Sequence, residues 1–411
     1  MGKVIEGSHD AAEQVRGLLS AAAVRERAHE MLDLALDGKV EGWTVDLDKL
    51  DEAAERTAAV TRESYPNLDI PFHARWRHFV VDEPALPTDG GAERARSALD
   101  LVVLSVLLDA GAGPGWRYRD PASGRILSRS EGLAVASQRL FETGAFSAGV
   151  HDSPLRADAS TLAELPAEAL ILGFEVGEDN VLAGLEGRTA LIRRLGAQVL
   201  ARPDLFATAD DGRPGGLYDV LASRAEGGRL PAPAILELLL EALGPIWADR
   251  LVIDGVHLGD CWRHPAIARD DATDGLVPLH KLSQWLAYSL IEPLEAAGIE
   301  VVDIDGLTGL AEYRNGGLLI DCGVLRLSDP EAGARTHHVS DPLIVAWRSM
   351  TVALLDRMAP KVRGLLGVGE ESFPLARMLE GGSWAAGRRI AAERRAGGGP
   401  PLDIVSDGTV F

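Results

Sequence analysis

Residues 98–108 read Ala98-Leu99-Asp100-Leu101-Val102-Val103-Leu104-Ser105-Val106-Leu107-Leu108. Wound as a helix, this stretch is apolar around nearly its whole circumference. A helix of this kind has no side that prefers water, so it has to lie inside a folded unit. The pattern predicts a buried helix over residues 92–110, around which other parts of the chain must pack.

Apolar residues at helical spacing recur along most of the chain on both sides of this stretch. Further helices are predicted over residues 8–37, 46–64, 129–143, 278–297 and 342–359, with a last basic helix from Ser383. Short strands are predicted at 301–304 and 318–327, the second after a turn at Asn315-Gly316-Gly317. No interdomain boundary stands out, so the sequence predicts one mainly α unit over residues 1–411 with a few short strands.

Composition excludes several classes of protein. The 411 residues carry 62 acidic and 41 basic side chains, which gives a formal net charge of −21. So acidic a chain repels nucleic acid and anionic membranes, and neither is an expected partner. No run approaches the roughly 20 apolar residues of a membrane span, and no secretory signal is visible. Only two cysteines, Cys261 and Cys322, are present, and a cytoplasmic location is expected.

A cluster of potential cations stands out against this acidic background at residues 73–78, which read His-Ala-Arg-Trp-Arg-His. If the segment is extended, His73, Arg75 and Arg77 share one side. Three donors on one side suit a phosphate or a carboxylate, because the guanidinium group donates in a rigid fork. Salt bridges to surface carboxylates are the alternative, and the sequence leaves both interpretations open.

A second group lies at the start of the helix predicted over 278–297. Lys281, Trp285 and Tyr288 fall at positions i, i+4 and i+7, on one helix face and next to His280. A lysine flanked by aromatic rings can hold an anion in a pocket. The spacing alone favours the plainer alternative, in which the stem of the lysine lies over packed rings.

The third group follows the strand predicted at 301–304. Asp305 is expected to cap a short helix, whose end carries Glu312, Tyr313, Arg314 and Asn315 into the Gly-Gly turn. Turns let polar side chains project into a pocket, which makes this group a candidate site. A capped helix with a Glu–Arg pair is the equally supported alternative.

Two weaker candidates are the pair His337-His338 and the thiol of Cys261. Adjacent histidines on a strand point apart, and no partner stands at helical spacing, so a metal site is not expected. A thiolate nucleophile at Cys261 is possible, but a free buried cysteine is more common. No GxxxxGK[ST], HExxH, GxSxG or CxxC motif is present, and no cofactor is expected.

Four segments together resemble a known family. They are 72–79, 276–286, 307–317 and the ending 398–411, which read FHARWRHF, LVPLHKLSQWL, LTGLAEYRNGG and GGPPLDIVSDGTVF. These segments are similar to the fungal and bacterial URC family, which is named for uracil catabolism. The resemblance extends over nearly the whole length of the chain. The resemblance implies a role in the degradation of uracil.

The C-terminal half also resembles the queuosine-nucleotide N-glycosidases, which are similar to helix-hairpin-helix DNA glycosylases. The motif order recurs as residues 281–284, then 303–314, then 323–325 and 345–347. The resemblance implies a large helical bundle of the glycosylase type over 92–411, with 1–91 packed on it as an N-terminal helical segment. Glu312 stands where that family has its catalytic aspartate, and Asn315-Gly316-Gly317 replaces its Val-Pro-Gln, which implies a different base.

Together the two resemblances imply an N-glycosidase that releases urea from a ribosylurea-type nucleoside or nucleotide. Glu312 would stabilise the positive charge that develops at the ribose carbon. Lys281 and Arg314 would hold a phosphate or polarise the leaving group, and His73 and Arg75 would complete the anion site. The small-molecule substrate is the only expected partner. Two alternatives stay open: another hydrolytic step of the pathway with Cys261 or His280 as base, and a non-catalytic regulator that binds a nucleotide or a partner enzyme.

Overall fold

The computed structural model describes residues 7–88, 90–149, 153–209 and 211–405, and it is mainly helical, as predicted. The α-helices are, in chain order, α1 (Gly7–Arg16), α2 (Ala21–Leu36), α3 (Leu50–Ser64), α4 (Gly91–Leu107), α5 (Arg129–Glu142), α6 (Ala159–Ala163), α7 (Ala167–Gly173), α8 (Leu185–Ala201), α9 (Pro203–Phe206), α10 (Leu217–Arg224), α11 (Ala232–Leu243), α12 (Lys281–Ala296), α13 (Tyr313–Asp321), α14 (Pro342–Leu366), α15 (Leu375–Met378) and α16 (Trp384–Arg394). A π-helical turn, Leu379–Ser383, joins α15 to α16. The last six residues of the ending that resembles the URC family, 406–411, lie outside the described residues.

The strands are short and associate in pairs rather than in a large sheet. They are β1 (Trp43–Val45), β2 (Tyr118–Arg119), β3 (Ile126–Leu127), β4 (Arg229–Pro231), β5 (Val252–Ile253), β6 (Val256–His257), β7 (Cys261–Arg263), β8 (Leu276–Pro278), β9 (Glu300–Val302), β10 (Leu325–Leu327), β11 (Thr336–His337) and β12 (Asp403–Ile404). The pair β7–β8 is antiparallel, with Cys261 opposite Pro278. This pairing matters for the site because β7 directly follows Asp260 and β8 ends three residues before Lys281.

The chain forms two compact units. The first consists of the described parts of 1–73, 249–284 and 303–405, and the second of the described parts of 74–248 and 285–302. The described residues up to His73 lie in the first unit and the described residues from Ala74 to Gly91 lie in the second. The predicted division of the chain at residue 91 stays a prediction. In the first unit, α2 and α3 both pack on the long helix α14, and α13 packs on α16.

The second unit contains α4, the helix from which the sequence prediction started. Every residue from Ser97 to Leu107 is buried, which confirms the predicted buried helix. The one charge between Ser97 and Leu107 is Asp100. It accepts a hydrogen bond from Nε of Arg213 at 2.8 Å and one from the amide of Gly215 at 2.6 Å. Despite the apolar character of α4, no helix in the described ranges is long and apolar enough to span a membrane.

Several predicted boundaries were wrong for identifiable reasons. The helix predicted over 8–37 is broken at residues 17–20, where Ser20 caps α2. Pro278 does not start α12 but ends β8. Helix α14 continues past Pro360, which lies on an exposed side of the helix. A proline inside a helix removes one backbone hydrogen bond and can be accommodated by a bend.

The segment around the Gly-Gly pair was also predicted wrongly. Asn315-Gly316-Gly317 is not a turn but lies inside α13, and only Leu325–Leu327 of the predicted strand 318–327 is extended. The glycines serve close packing: a methyl group on Gly316 would lie 2.7 Å from Nε1 of Trp347 on α14. Asp305, predicted to cap a helix, lies in a single 3₁₀ turn, Ile304–Gly306, and the chain from Leu307 to Glu312 is not helical.

Candidate functional site

The centre of the candidate site is the N-terminus of α13, which Glu312 caps with its own side chain. Oε2 accepts the amide hydrogen of Arg314 at 2.7 Å, and Oε1 accepts that of Asn315 at 2.5 Å. The first amides of a helix have no partner within the helix, so a carboxylate at this position is held by two hydrogen bonds and by the helix dipole. The sequence placed Glu312 at the end of a helix, but the structure places it at the start of one.

Glu312 is buried, with 8% of its surface exposed, and its electrostatic surroundings pull in opposite directions. Burial raises the pKa of the carboxyl group above its ordinary value, and this effect outweighs the amide hydrogen bonds and the positive charges of Lys281 and His73, all of which lower the pKa. Residues 73, 281 and 312 are remote in sequence, yet His73 and Lys281 both act on the carboxylate of Glu312 within the first unit. The structure thus brings together three of the predicted site residues.

His73 has a carboxylate partner of its own. Its Nδ1 lies 2.7 Å from Oε2 of Glu380, and Oε1 of Glu380 lies 3.4 Å from the hydroxyl of Tyr65. The ring of Trp384 is 6.3 Å from the imidazole ring, tilted by 39°. A carboxylate on one ring nitrogen fixes the orientation of the imidazole, as in catalytic and metal-binding sites.

The residues after Glu312 are held by the C-terminal helices. Asn315 accepts a hydrogen bond from Ser383 at 2.8 Å, and the guanidinium of Arg314 donates to the carbonyl of Gly398 at 2.8 Å. A methyl group on Gly387 would overlap the carbonyl oxygen of Arg314, so only glycine allows α16 to approach α13 this closely. Arg314 also stacks on the neighbouring Tyr313, 4.8 Å from the ring centre. These contacts make the start of α13 a rigid support for Glu312.

The two arginines that follow His73 have partners in the second unit. The segment is not extended but forms a 3₁₀ turn, Arg75–His78, so the predicted alternation of sides does not exist. Arg75 is fully buried: Nη1 lies 2.5 Å from Asp109 and 3.0 Å from Ser130, and Nε lies 2.7 Å from Ser105. Burial lowers the pKa of Arg75, and Asp109 opposes this effect. The expected role of Arg75 in anion binding stays a prediction.

One nitrogen of Arg77, Nη2, donates to both carboxylate oxygens of Glu292. Arg77 borders a pocket of about 400 Å³ within the second unit, whose walls include Trp76, Phe79 and Arg94. The rings of Trp76 and Phe79 meet edge to face at 5.7 Å. The pocket gives Arg77 access to a small molecule, and substrate binding by Arg77 stays a prediction.

The three other predicted binding residues are also engaged. In the first unit, Nε2 of His280 lies 2.9 Å from the carbonyl of Leu18, and Asp305 binds both Arg363 and the amide of Leu375 at 2.6 Å. In the second unit, the buried ring of Trp285 lies under the guanidinium of Arg75, 5.6 Å away. Their roles toward a substrate stay predictions.

The weaker candidates have plain structural explanations. Cys261 is fully buried, and burial raises the pKa of its thiol far above the ordinary value, which is the reverse of what a nucleophilic thiolate needs. Nε2 of His337 lies 2.8 Å from the carbonyl of Ala332. Over the described ranges, no group of three or more His, Cys, Asp and Glu side chains is arranged to hold a metal ion.

Sequence reasoning missed four residues of this region: Glu380, Ser383, Asp260 and Arg348. A usable signal existed for Arg348, since a lone charge between Trp347 and Met350 on an apolar helix requires a buried partner. For Glu380 the signal in the sequence is the glycine pair Gly381-Gly382 that follows it, because glycines allow close packing. In the structure, a methyl group on Gly382 would overlap Thr61 of α3. Close packing of that kind fixes the acidic side chain against the preceding helices.

Comparison with known proteins gives the family. The model of the family described as "Protein of unknown function (DUF1688)" matches residues 17–411. The chain is 39% identical over 417 residues to "Protein urg3" of Schizosaccharomyces pombe, which covers 97% of this chain and 99% of that protein. It is 36% identical over 436 residues to "Uracil catabolism protein 4" of Lachancea kluyveri, with 95% and 98% covered. The chain belongs to the DUF1688 family, and the predicted relationship to the URC proteins is confirmed.

Proposed function

We propose that the protein acts in uracil catabolism as an N-glycosidase that hydrolyses a ribosylurea-type nucleoside or its 5′-phosphate to urea and ribose or ribose phosphate. The name of the Lachancea kluyveri relative, which matches nearly the whole chain, supports the pathway. The resemblance of residues 281–284 and 303–314 to queuosine-nucleotide N-glycosidases supports the reaction class. The proposed class is therefore a hydrolase of N-glycosyl bonds, and the proposed ligand is a small molecule.

The observation that carries this proposal is the state of Glu312. A buried carboxylate is costly unless it is paired or hydrogen-bonded, and this one is fixed by two amides and attracted by the charge of Lys281. An ionised carboxylate accepts about four hydrogen bonds, and the two amides account for only half of that capacity. The other half can face a positive charge or a water molecule.

In the proposed reaction, the bond between C1′ and the urea nitrogen breaks, and its electron pair leaves with the nitrogen. The ribose becomes an oxocarbenium-like cation, which the carboxylate of Glu312 stabilises electrostatically. A water molecule then adds to C1′, its proton passes through Glu312, and the urea nitrogen takes up a proton. Lys281 would polarise the departing urea or neutralise a sugar phosphate, and His73, held by Glu380, would act on the same anionic group.

The test is turnover of ribosylurea and ribosylurea 5′-phosphate, followed by detection of free urea and reducing sugar. The E312Q variant keeps the shape of the side chain but loses its charge, and we expect its kcat to fall at least about 10³-fold while the substrate still binds. A matched control is E295Q, because burial also raises the pKa of Glu295 but this residue lies in the second unit. Normal turnover by E312Q would remove Glu312 from the mechanism.

Binding without turnover by the wild-type protein would favour the regulator instead. In that outcome, calorimetric titration with ribosylurea phosphate and with uridine nucleotides gives a dissociation constant, but no urea accumulates at any pH. Turnover of a uridine nucleotide rather than of ribosylurea would point to a different hydrolytic step of the pathway.

A further inference from the structure

A buried ion pair in the first unit, between Asp260 and Arg348, connects the chain segments that carry Lys281 and Glu312. The proposed reaction assigns a charge to both of these side chains. Arg348 lies in α14 with 1% of its side chain exposed, and Asp260 precedes β7 with 13% exposed. The two nitrogens Nη1 and Nη2 each donate to one oxygen of Asp260 at 2.8 Å. This fork geometry fixes both side chains in direction as well as in distance.

Asp260 holds the start of α12 from outside the helix. Its carbonyl oxygen accepts the amides of Leu279 at 2.9 Å and His280 at 3.1 Å, and Oδ2 accepts the amide of Lys281 at 3.0 Å. His280 has a φ of +46°, a left-handed conformation that a residue with a side chain adopts only when its surroundings enforce it. Asp260 therefore fixes the position of the Lys281 backbone.

Arg348 also contacts the segment that leads to Glu312. Its Nε donates to the carbonyl oxygen of Ala311 at 3.1 Å, one residue before Glu312. One guanidinium group thus binds Asp260 with its two terminal nitrogens and the segment leading into α13 with the third. Through these contacts the segments that carry Lys281 and Glu312 are connected by a single buried side chain.

We propose that Asp260 and Arg348 are positioning residues, which set the separation between Lys281 and Glu312. This inference rests on the proposed function. A buried ion pair is weak evidence for stability, because apolar side chains of the same volume are often as stable, so its use has to lie elsewhere. Here the pair supplies a fixed geometry for charged groups on two separate segments, and active sites need such support from their surroundings.

The electrostatics agree with this role. Although burial raises it, the pKa of Asp260 lies well below its ordinary value because of the charge and hydrogen bonds of Arg348, together with the donors on Trp262 and Lys281. The charges that lower the pKa of Glu312 belong to Lys281 and His73, so a Lys281 that moves away leaves the pKa of Glu312 still higher. Misplacement therefore has a signature in pH dependence that a loss of stability does not have.

The experiment compares D260N and R348M in the full-length chain with a second buried pair, Asp100 and Arg213, in the second unit. In D260N and R348M we expect kcat for ribosylurea phosphate to fall about 10²-fold at temperatures where the protein is folded, with the acidic limb of the pH profile at higher pH. The D100N and R213M variants should lose stability but keep the kcat and the pH limb of the wild type. If folded R348M has the same kcat as the wild type and the same acidic limb of the pH profile, the inference is wrong. The result for E312Q separately decides the proposed function.

If the wild-type protein shows no glycosidase activity, urea unfolding at pH 4–8 still tests the inference. The difference between each protein and its E312Q form reports the titration of Glu312. We expect the midpoint of that difference curve at higher pH for R348M than for the wild type. Equal midpoints would show that Arg348 does not set the position of Lys281 relative to Glu312.

Discussion

Glu312 and Arg75 are both buried charges, but their surroundings differ in kind. Arg75 meets an opposite charge, Asp109, together with hydroxyl groups of Ser105 and Ser130, and it is fully buried. Glu312 is held by backbone amides, and the charges of Lys281 and His73 add to that hold without outweighing the effect of burial. Burial outweighs the partners in both cases, but Arg75 has a carboxylate at 2.5 Å, whereas the oxygens of Glu312 that the two amides hold can accept further hydrogen bonds.

The difference shows why cations close in sequence need not form one anion site. His73 and Arg75 are two residues apart, yet His73 belongs to the first unit and binds Glu380, while Arg75 belongs to the second. A buried charge with an opposite charge beside it stabilises the fold as long as both partners remain, whereas a buried carboxylate held by backbone amides can still act on a substrate. The predictions below test this distinction between Arg75 and the surroundings of Glu312.

The largest expected effect is on stability, in R75M. Methionine keeps most of the volume but leaves the partly buried Asp109 without the cation that binds it, which should cost about 3–5 kcal/mol of unfolding free energy, measured by urea denaturation. The control is R202M, whose arginine pairs with Asp204 on the surface and should cost at most about 1 kcal/mol. Adding D109L to R75M should recover part of the lost stability. An R75M protein as stable as the wild type would show that the ion pair of Arg75 with Asp109 does not stabilise the fold.

The second prediction concerns activity at Lys281. In K281M the charge disappears while the capping of α12 by Asp260 through the backbone amide remains. We expect kcat for ribosylurea phosphate to fall about 10²-fold, because one positive donor at the developing charge is lost. The control is K361M in α14, whose lysine pairs with Asp51 at the surface and should leave kcat unchanged. Equal activities of K281M and K361M would exclude Lys281 from the reaction.

The sequence predicted well what depends on periodicity: the buried helix α4 and the mainly α fold follow from apolar spacing. Glu312, Lys281 and His73 stand out in the sequence as candidate site residues, and their roles stay predictions. The cap at Glu312 was missed because Asn-Gly-Gly is typical of a turn; only the packing of Trp347 and α16 against this segment makes it helical. The partners Glu380, Asp260 and Arg348 depend on contacts between distant segments, which local spacing does not encode.

The third prediction follows from the pKa of Glu312. Burial raises this pKa above the ordinary value of 4.5, so the folded state binds the proton more tightly than the unfolded state. The resulting stabilisation is complete below pH 4.5 and is lost as pH rises through the folded pKa. Relative to E312Q, the wild-type protein should therefore lose about 1.4 kcal/mol for each pH unit by which the pKa is raised.

Urea unfolding of both proteins between pH 4 and 8 measures this difference, which should level off above the folded pKa. The side-chain amide of E312Q also lacks one of the two cap hydrogen bonds, but that offset does not change with pH. The Y313F variant is the control, since it changes the next residue along the chain and keeps the carboxyl group of Glu312. A constant difference between wild type and E312Q across the series would show that Glu312 titrates alike in the folded and unfolded protein.

The smallest effect is expected in R77Q, which separates the two arginines of the 3₁₀ turn. Arg77 keeps 28% of its side chain exposed and pairs with a half-exposed Glu292, and such pairs contribute about 0–1 kcal/mol. Urea denaturation should therefore distinguish R77Q from R75M by several kcal/mol, although the two residues are neighbours in sequence. The KM for ribosylurea phosphate adds a second readout. A higher KM with unchanged stability would support the predicted substrate contact of Arg77. An unchanged KM would show that Arg77 pairs with Glu292 but does not bind the substrate.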